Sequence, residues 1–253
     1  MPNHFVLEIC AESVDHAIAA ERAGAHRIEL CSDLSSGGIT PSAGLMQAVR
    51  RHINIPIHVL IRPRPGDFFY SAHELEIMRH DILAAKQFGM DGVVLGLLHE
   101  NTQVDIERAK ALVELARPLP VTFHRAFDAS ENLERSLEDV IQTGAARILT
   151  SGGQPSATAG LSTLARLVQA ASGRILLVPC GGVNSENILP IVRTTLAHEI
   201  HTSVGTSRSG STESGERLAY GAPGSRLPLA VFEERVTKLV SLLGSMDYAQ
   251  REN

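Results

Sequence analysis

The sequence predicts a single α/β domain folded as a (β/α)8 TIM barrel. Three observations point there. Eight short apolar runs alternate with eight longer amphipathic stretches along the 253 residues. Composition is even throughout, with no region that reads as helix alone. Three links into a strand also repeat one phrase: AGAHRIEL at 23–30, FGMDGVVL at 88–95 and TGAARILT at 143–150. Each sets a glycine after a helix, where the left-handed residue falls, and a polar residue before a strand. Strands alternating with helices build a parallel sheet. An open doubly wound sheet is the alternative. It usually carries a Gly-rich phosphate turn after its first strand, and the first turn here, CAES at 10–13, has no glycine.

In chain order, the first run starts near Phe5, and Ser13 caps a helix at about 13–23. The second starts near His26. After it, CSDLSSGGITPS leads through Thr40-Pro41, a capping residue before a first-turn proline, into a helix at about 41–52. The third starts near Pro56 and passes the stiff RPRPGDF turn to a helix at about 72–88. The fourth starts near Asp91, with Asn101 before a helix at about 102–116. Runs near Pro120 and Arg147 precede helices at about 131–143 and 158–172. The run near Arg174 leads past Asn184 to a helix at about 185–196, which Pro190 should kink or shorten. The eighth starts near Glu199. A Gly/Ser-rich loop at about 204–227 then precedes a helix at about 228–244; a loop of that length in a barrel is usually a lid or a binding loop. One domain is expected to span 1–253.

Composition excludes two classes of partner. Net charge is −5, no Lys/Arg block occurs and aromatics are 4% without tryptophan, so nucleic acid has neither a basic footprint nor stacking platforms to bind. No apolar run approaches the roughly 18–20 residues of a membrane span. The N-terminus has no signal-peptide pattern. The three cysteines, Cys10, Cys31 and Cys180, cannot all pair, which fits a reducing compartment. A cytoplasmic location is expected.

The candidate site lies where charges interrupt strands. Glu8, Glu29, His58, Arg62, His124, Arg125 and His201 all sit in or at the end of such runs. A parallel strand covered by helices should read as apolar, so its polar side chains point into the barrel. Alternation groups Glu8 with Cys10, Glu29 with Cys31, His58 with Leu60 and Arg62, and Thr122 with His124. The barrel mouth should therefore gather Glu8, Cys10, Glu29, Cys31, Arg62, His124, His201 and Ser203. A buried ionic cluster that only ties strands together is the plainer alternative.

Glycines close the later strands: Ser151, Gly152 and Gly153 after the sixth, Gly181 and Gly182 after the seventh. Backbone amides at those positions suit an anion. Cys10 and Cys31 fall on neighbouring strands, where two thiols suit Cu(I) or zinc, or serve as small buried hydrophobes. His16, His52, His73, His80 and His198 read as surface residues. Asp67 either leans over the mouth or is a solvated turn carboxylate. One functional reading is an enzyme on a small metabolite, phosphorylated or not. Arg62 and the strand-seven glycines would hold the anion, and Glu8, Glu29 and His124 would perform acid–base chemistry of a lyase or isomerase kind. No strand run holds a lysine, which argues against a Schiff base.

LEICAES, RIELCSDLSSGGITPS, IPIHVLIRPRPGDFFYS and VTFHRAFD, in that order, resemble the CutC family of copper homeostasis proteins. The resemblance covers about 5–210 and continues through TSGG and EIHTSVG. It implies a (β/α)8 barrel, a cytoplasmic homo-oligomer and a role with copper. The family's site set maps onto Glu8, Cys10, Glu29, Cys31, Arg62, His124, Arg125 and Asp128, with Cu(I) bound through Cys10 and Cys31. Two departures stand out. Some members carry a double cysteine where this chain has Cys10-Ala11, and Cys180 stands where glycine or alanine is common, so the copper reading stops at Cys10 and Cys31.

Overall fold

The structure is a computed structural model and describes residues 5–204 and 227–249. The Gly/Ser-rich stretch expected at 204–227 lies outside the described residues except for its ends. The strands are β1 (Val6–Ala11), β2 (Arg27–Leu30), β3 (Ile57–Leu60), β4 (Gly92–Leu95), β5 (Val121–Phe123), β6 (Arg147–Thr150), β7 (Leu176–Pro179) and β8 (Glu199–Thr202). The helices that follow them are α1 (Val14–Arg22), α2 (Ala43–His52), α3 (Ala72–Gln87), α4 (Ile106–Ala116), α5 (Leu133–Thr143), α6 (Leu161–Ala171), α7 (Ile188–Thr195) and α8 (Leu229–Ala249).

Every strand pairing is parallel, in the order β7-β6-β5-β4-β3-β2-β1-β8, so the sheet curls into the (β/α)8 barrel. β7 and β8 lie side by side without a ladder. Their seam is crossed by the Thr202 hydroxyl, which donates to the Val183 carbonyl at 2.7 Å. Outward strand residues such as Leu7, Ile9, Ile28, Val59 and Val93 are fully buried against the helices, which form the main core.

Helix starts differ from the sequence reading for local reasons. Ser13 does cap α1. Thr40 does not cap α2. It is bound to the end of β3 instead, its N–H donating to Arg62 O and its hydroxyl accepting the Arg62 N–H, both at 2.9 Å. The cap passes to Ser42. Asn101 accepts from Gln103 N–H in a local turn, and Asp105 caps α4. Asn184 likewise takes Glu186 N–H, so α7 begins only at Ile188. Pro190 then falls in the first turn, where a missing N–H costs nothing. The helix is shortened, as Pro190 suggested.

His16 corrects the surface assignment. It is 5% exposed, because α8 packs across α1 and sets Phe232 edge-on to the imidazole at 4.8 Å. His52, His73 and His80 are exposed, and His198 stacks on Phe5.

Candidate functional site

The barrel interior is built in three tiers. The deepest is ionic. Arg27 precedes Glu29 by two residues on β2 and so points inward with it. Its Nε donates to Glu8 at 2.5 Å and its terminal nitrogen to Glu199 at 2.6 Å. Arg147 Nε reaches the same Glu199 oxygen at 2.8 Å. The other Glu8 oxygen meets His201 Nδ1 at 2.7 Å, and His58 Nδ1 stands 3.9 Å from the carboxylate. Burial pushes the Glu8 carboxyl up, but Arg27 and His201 outweigh it and hold the group well below the usual carboxylate range. Burial drives His58 down to about 4, so it stays neutral. For His201 the burial penalty is overcome by Glu29 and Glu8, and its value is raised. Glu8 is thus fixed as a paired anion and does not line the open cavity. Sequence reasoning missed Arg27, Arg147 and Glu199. They were read as strand starts, although counting back two from Glu29 would have placed Arg27.

Above this tier lies an apolar one. Cys10, Cys31, Leu60, Val94, Leu149, Val178 and Cys180 pack together, with Leu34 against them. Cys10 Sγ and Cys31 Sγ are 3.2 Å apart, and both residues are fully buried. The two cysteines are staggered in register, Cys10 standing opposite Glu29, yet their side chains meet. The hydrogen bond to Cys31, together with burial, lifts the Cys10 thiol well above its ordinary value. Burial does the same to Cys180, against the pull of Arg125.

The third tier is the mouth, a cavity of about 580 Å³ lined by Glu29, Arg62, His124, Arg125, Asp128 and His201, with Cys180, Gly181 and Gly182 on one wall. Arg62, 6% exposed, donates to the carbonyls of Ser36, Gly38 and Gly66, and its guanidinium lies 5.1 Å from the Phe68 ring centre. His124 Nδ1 accepts the Ala126 N–H at 3.1 Å, so in the neutral ring the proton sits on Nε2. Burial, with Arg62 beside it, drives His124 down to about 3. In that state the ring is a neutral donor through Nε2. Gly92 at the start of β4 and Gly96 just past its end make room for these rings. A Cβ on Gly92 would fall 2.5 Å from His58, and one on Gly96 would fall 2.5 Å from His124. Glu29 is raised by burial, against His201 and with Glu8 adding to the shift.

Asp128 occupies the amide cradle expected to receive an anion. Its oxygens accept the Ser151 and Gly153 N–H groups and the Thr150 and Ser151 hydroxyls, and Arg125 Nε pairs with it at 2.8 Å. Gly152 N–H goes to Thr150 Oγ1. The Ser151, Gly152 and Gly153 amides are therefore already bonded within the chain. Gly181 and Gly182 remain on the cavity wall, and Gly182 also borders a hollow of about 680 Å³ with Arg235 and Lys238 of α8. Asp67 turns away from the mouth to pair with Arg64 at 2.9 Å.

Two donor sets suit a metal. Cys10 and Cys31 offer soft sulfur, which favours Cu(I). Glu8, Glu29 and His201 place one ligand atom each within 4.8 Å of one another. Arg27 already claims Glu8 there, and the raised His201 favours its proton, so a hard cation is opposed. No helix among the described residues is long and apolar enough to cross a membrane.

Comparison with known proteins gives one answer. The CutC family model matches residues 5–206. The Homo sapiens copper homeostasis protein cutC homolog is 44% identical over 241 residues, 95% of this chain and 88% of that protein. A CutC family protein of Vibrio campbellii is 48% identical over 219 residues, 85% of this chain and 89% of its own. The crystal structure of CutC from Streptococcus agalactiae superposes with a TM-score of 0.75 at 33% identity, covering 79% of this chain and 98% of that one. A phosphoribosylanthranilate isomerase from Pyrococcus furiosus, 13% identical with a TM-score of 0.58, covers 96% of this chain and 100% of its own; it shares the fold alone. The match over most of the chain and the identity to these relatives lead to one conclusion: the chain is a member of the CutC family.

Proposed function

We propose that this chain takes part in copper homeostasis by holding Cu(I) between Cys10 and Cys31. One observation carries the reading: the two Sγ atoms lie 3.2 Å apart inside an apolar tier. Soft sulfur in a buried, largely apolar surround, with the Glu29 carboxyl hydrogen-bonded to Cys10, suits a soft monovalent ion better than hard divalent ones. The Cys10 thiol holds its proton at rest, so loading there releases a proton, and affinity falls as pH falls. Leu34 and Leu60 both line the mouth and pack on the thiol tier, which makes them the barrier an ion must pass. The names of the human relative and of the Streptococcus agalactiae structure, both called copper homeostasis proteins, support the copper part of the reading.

The test is a competition titration against a chromophoric Cu(I) chelator under reducing conditions. The parent should compete, and a folded C10S/C31S variant should lose tight uptake. Equal affinity in the two proteins would end the proposal. Three free cysteines also support work in a reducing cytoplasm.

A further inference from the structure

The copper reading leaves the mouth unexplained, and the mouth holds an unmatched charge. Buried cations are ordinarily paired. Arg62 is 6% exposed, yet among the described residues no carboxylate lies within ion-pair distance of it. Its partners are three neutral carbonyls and the Tyr70 hydroxyl, all uncharged. Its neighbour His124, also 6% exposed, has an Nε2–H with no acceptor, and Arg62 Nε has none either. Both residues line the same cavity and both pack on Phe68. A buried donor left unpaired costs about 1–3 kcal/mol, and an acceptor supplied by a ligand recovers it.

The remaining charges of the mouth are spoken for. Arg125 is matched by Asp128, and His201 lies between Glu8 and Glu29. The amides after β6 that would cradle a phosphate are bonded to Asp128 and Thr150. Among the side chains of the mouth, one positive charge beside one neutral donor is left, a set whose single charge matches a monoanion with a planar acceptor better than a phosphate dianion. We propose that the mouth binds a small organic carboxylate, whose charge is matched by Arg62 and whose oxygen accepts the His124 Nε2–H. A cavity of about 580 Å³ has the size of a metabolite site. Gly96 keeps the ring in place by leaving the space beside it, and Ala126 N–H keeps the ring proton on Nε2. This goes beyond the thiol pair and does not depend on it.

The experiment uses copper-free, full-length protein with 15N-labelled histidine. Glycolate, pyruvate, oxalate, malonate and inorganic phosphate are titrated while the imidazole nitrogens are followed by NMR. At least one carboxylate should shift His124 Nε2 saturably, and Arg62→Met or His124→Phe should weaken that binding about tenfold or more. If no carboxylate moves the signal up to roughly 10 mM, the proposal fails. It also fails if only phosphate does so. Because the parent protein alone gives the decisive reading, a variant that misfolds does not rescue the idea. Because copper is absent throughout, the outcome is separate from that of the chelator competition.

Discussion

Gly96 leaves the space that His124 fills: a Cβ at position 96 would lie 2.5 Å from Nδ1 and 2.7 Å from Cε1 of that ring. Gly92 stands in the same relation to His58, at 2.5 Å. Gly92 opens β4 and Gly96 lies just past its end, so this one segment gives up side-chain volume to seat two imidazoles from its neighbours.

Gly96→Ala should therefore push His124 off its Ala126 hydrogen bond and cost about 1–3 kcal/mol, the usual cost of overpacking. Urea unfolding measures the loss. A histidine NMR spectrum with an unchanged His124 would show that the ring does not depend on this glycine.

Asp128 holds the loop after β6 by accepting from Ser151 and Gly153 amides and from two hydroxyls. Asp128→Ala should cost about 1–3 kcal/mol through the donors left behind. It should also create a phosphate site where the carboxylate was, so that phosphate raises the melting temperature of the variant and not of the parent. Equal phosphate responses would contradict this account of the cradle.

Arg27 is the shared cation of Glu8 and Glu199. Arg27→Met should cost about 3–5 kcal/mol at pH 7, because two carboxylates are left in the interior. Without Arg27, burial acts on Glu8 less opposed, and its folded value rises. The deficit should then shrink as pH falls toward 5, where the carboxyl takes a proton. Denaturant titrations at the two pH values compare parent and variant; a deficit independent of pH would refute the pairing.

Stability should fall on mild acidification. His58 and His124 sit at about 4 and about 3 in the folded chain, against 6.5 when exposed. Above 6.5 both are neutral in either state and contribute nothing. Below it the unfolded chain takes protons that the folded chain refuses, so stability declines by about 2 kcal/mol per histidine between pH 6.5 and 5. Glu8, held low in the fold, adds a loss as pH falls through the carboxylate range. His201 acts oppositely, since its raised value gives stability that is present below 6.5 and lost as pH rises past it. His58→Gln should flatten the acid limb, as read by urea unfolding at half-unit steps.

The cycle of strands and helices was legible because each inward charge broke an apolar run. That rule gathered Glu29, Arg62, His124 and His201 at one end of the barrel, where they share the mouth. Arg27, Arg147 and Glu199 stayed hidden because a charge at the start of a run looks like its boundary. Thr40, Asn101 and Asn184 looked like caps because only the fold reveals that other backbone groups claim them first. The TSGG amides looked open because their partner, Asp128, lies more than twenty residues upstream, and no local pattern encodes that pairing. Gly92 and Gly96 are a trace readable in the sequence: two glycines four residues apart, on one side of a strand and its extension, mark bulky neighbours beside them.

The missing ladder between β7 and β8 gives the cylinder the mechanics of a rolled sheet and not of a hoop. Sliding β8 against β7 strains a hydroxyl bridge and side-chain packing, whereas the same slip at any other junction tears a row of amide bonds. Thermal breathing is thereby channelled to a single slit, next to Gly182 and the thiol wall at Cys180, and the interior acquires a side door that the other seven junctions keep shut.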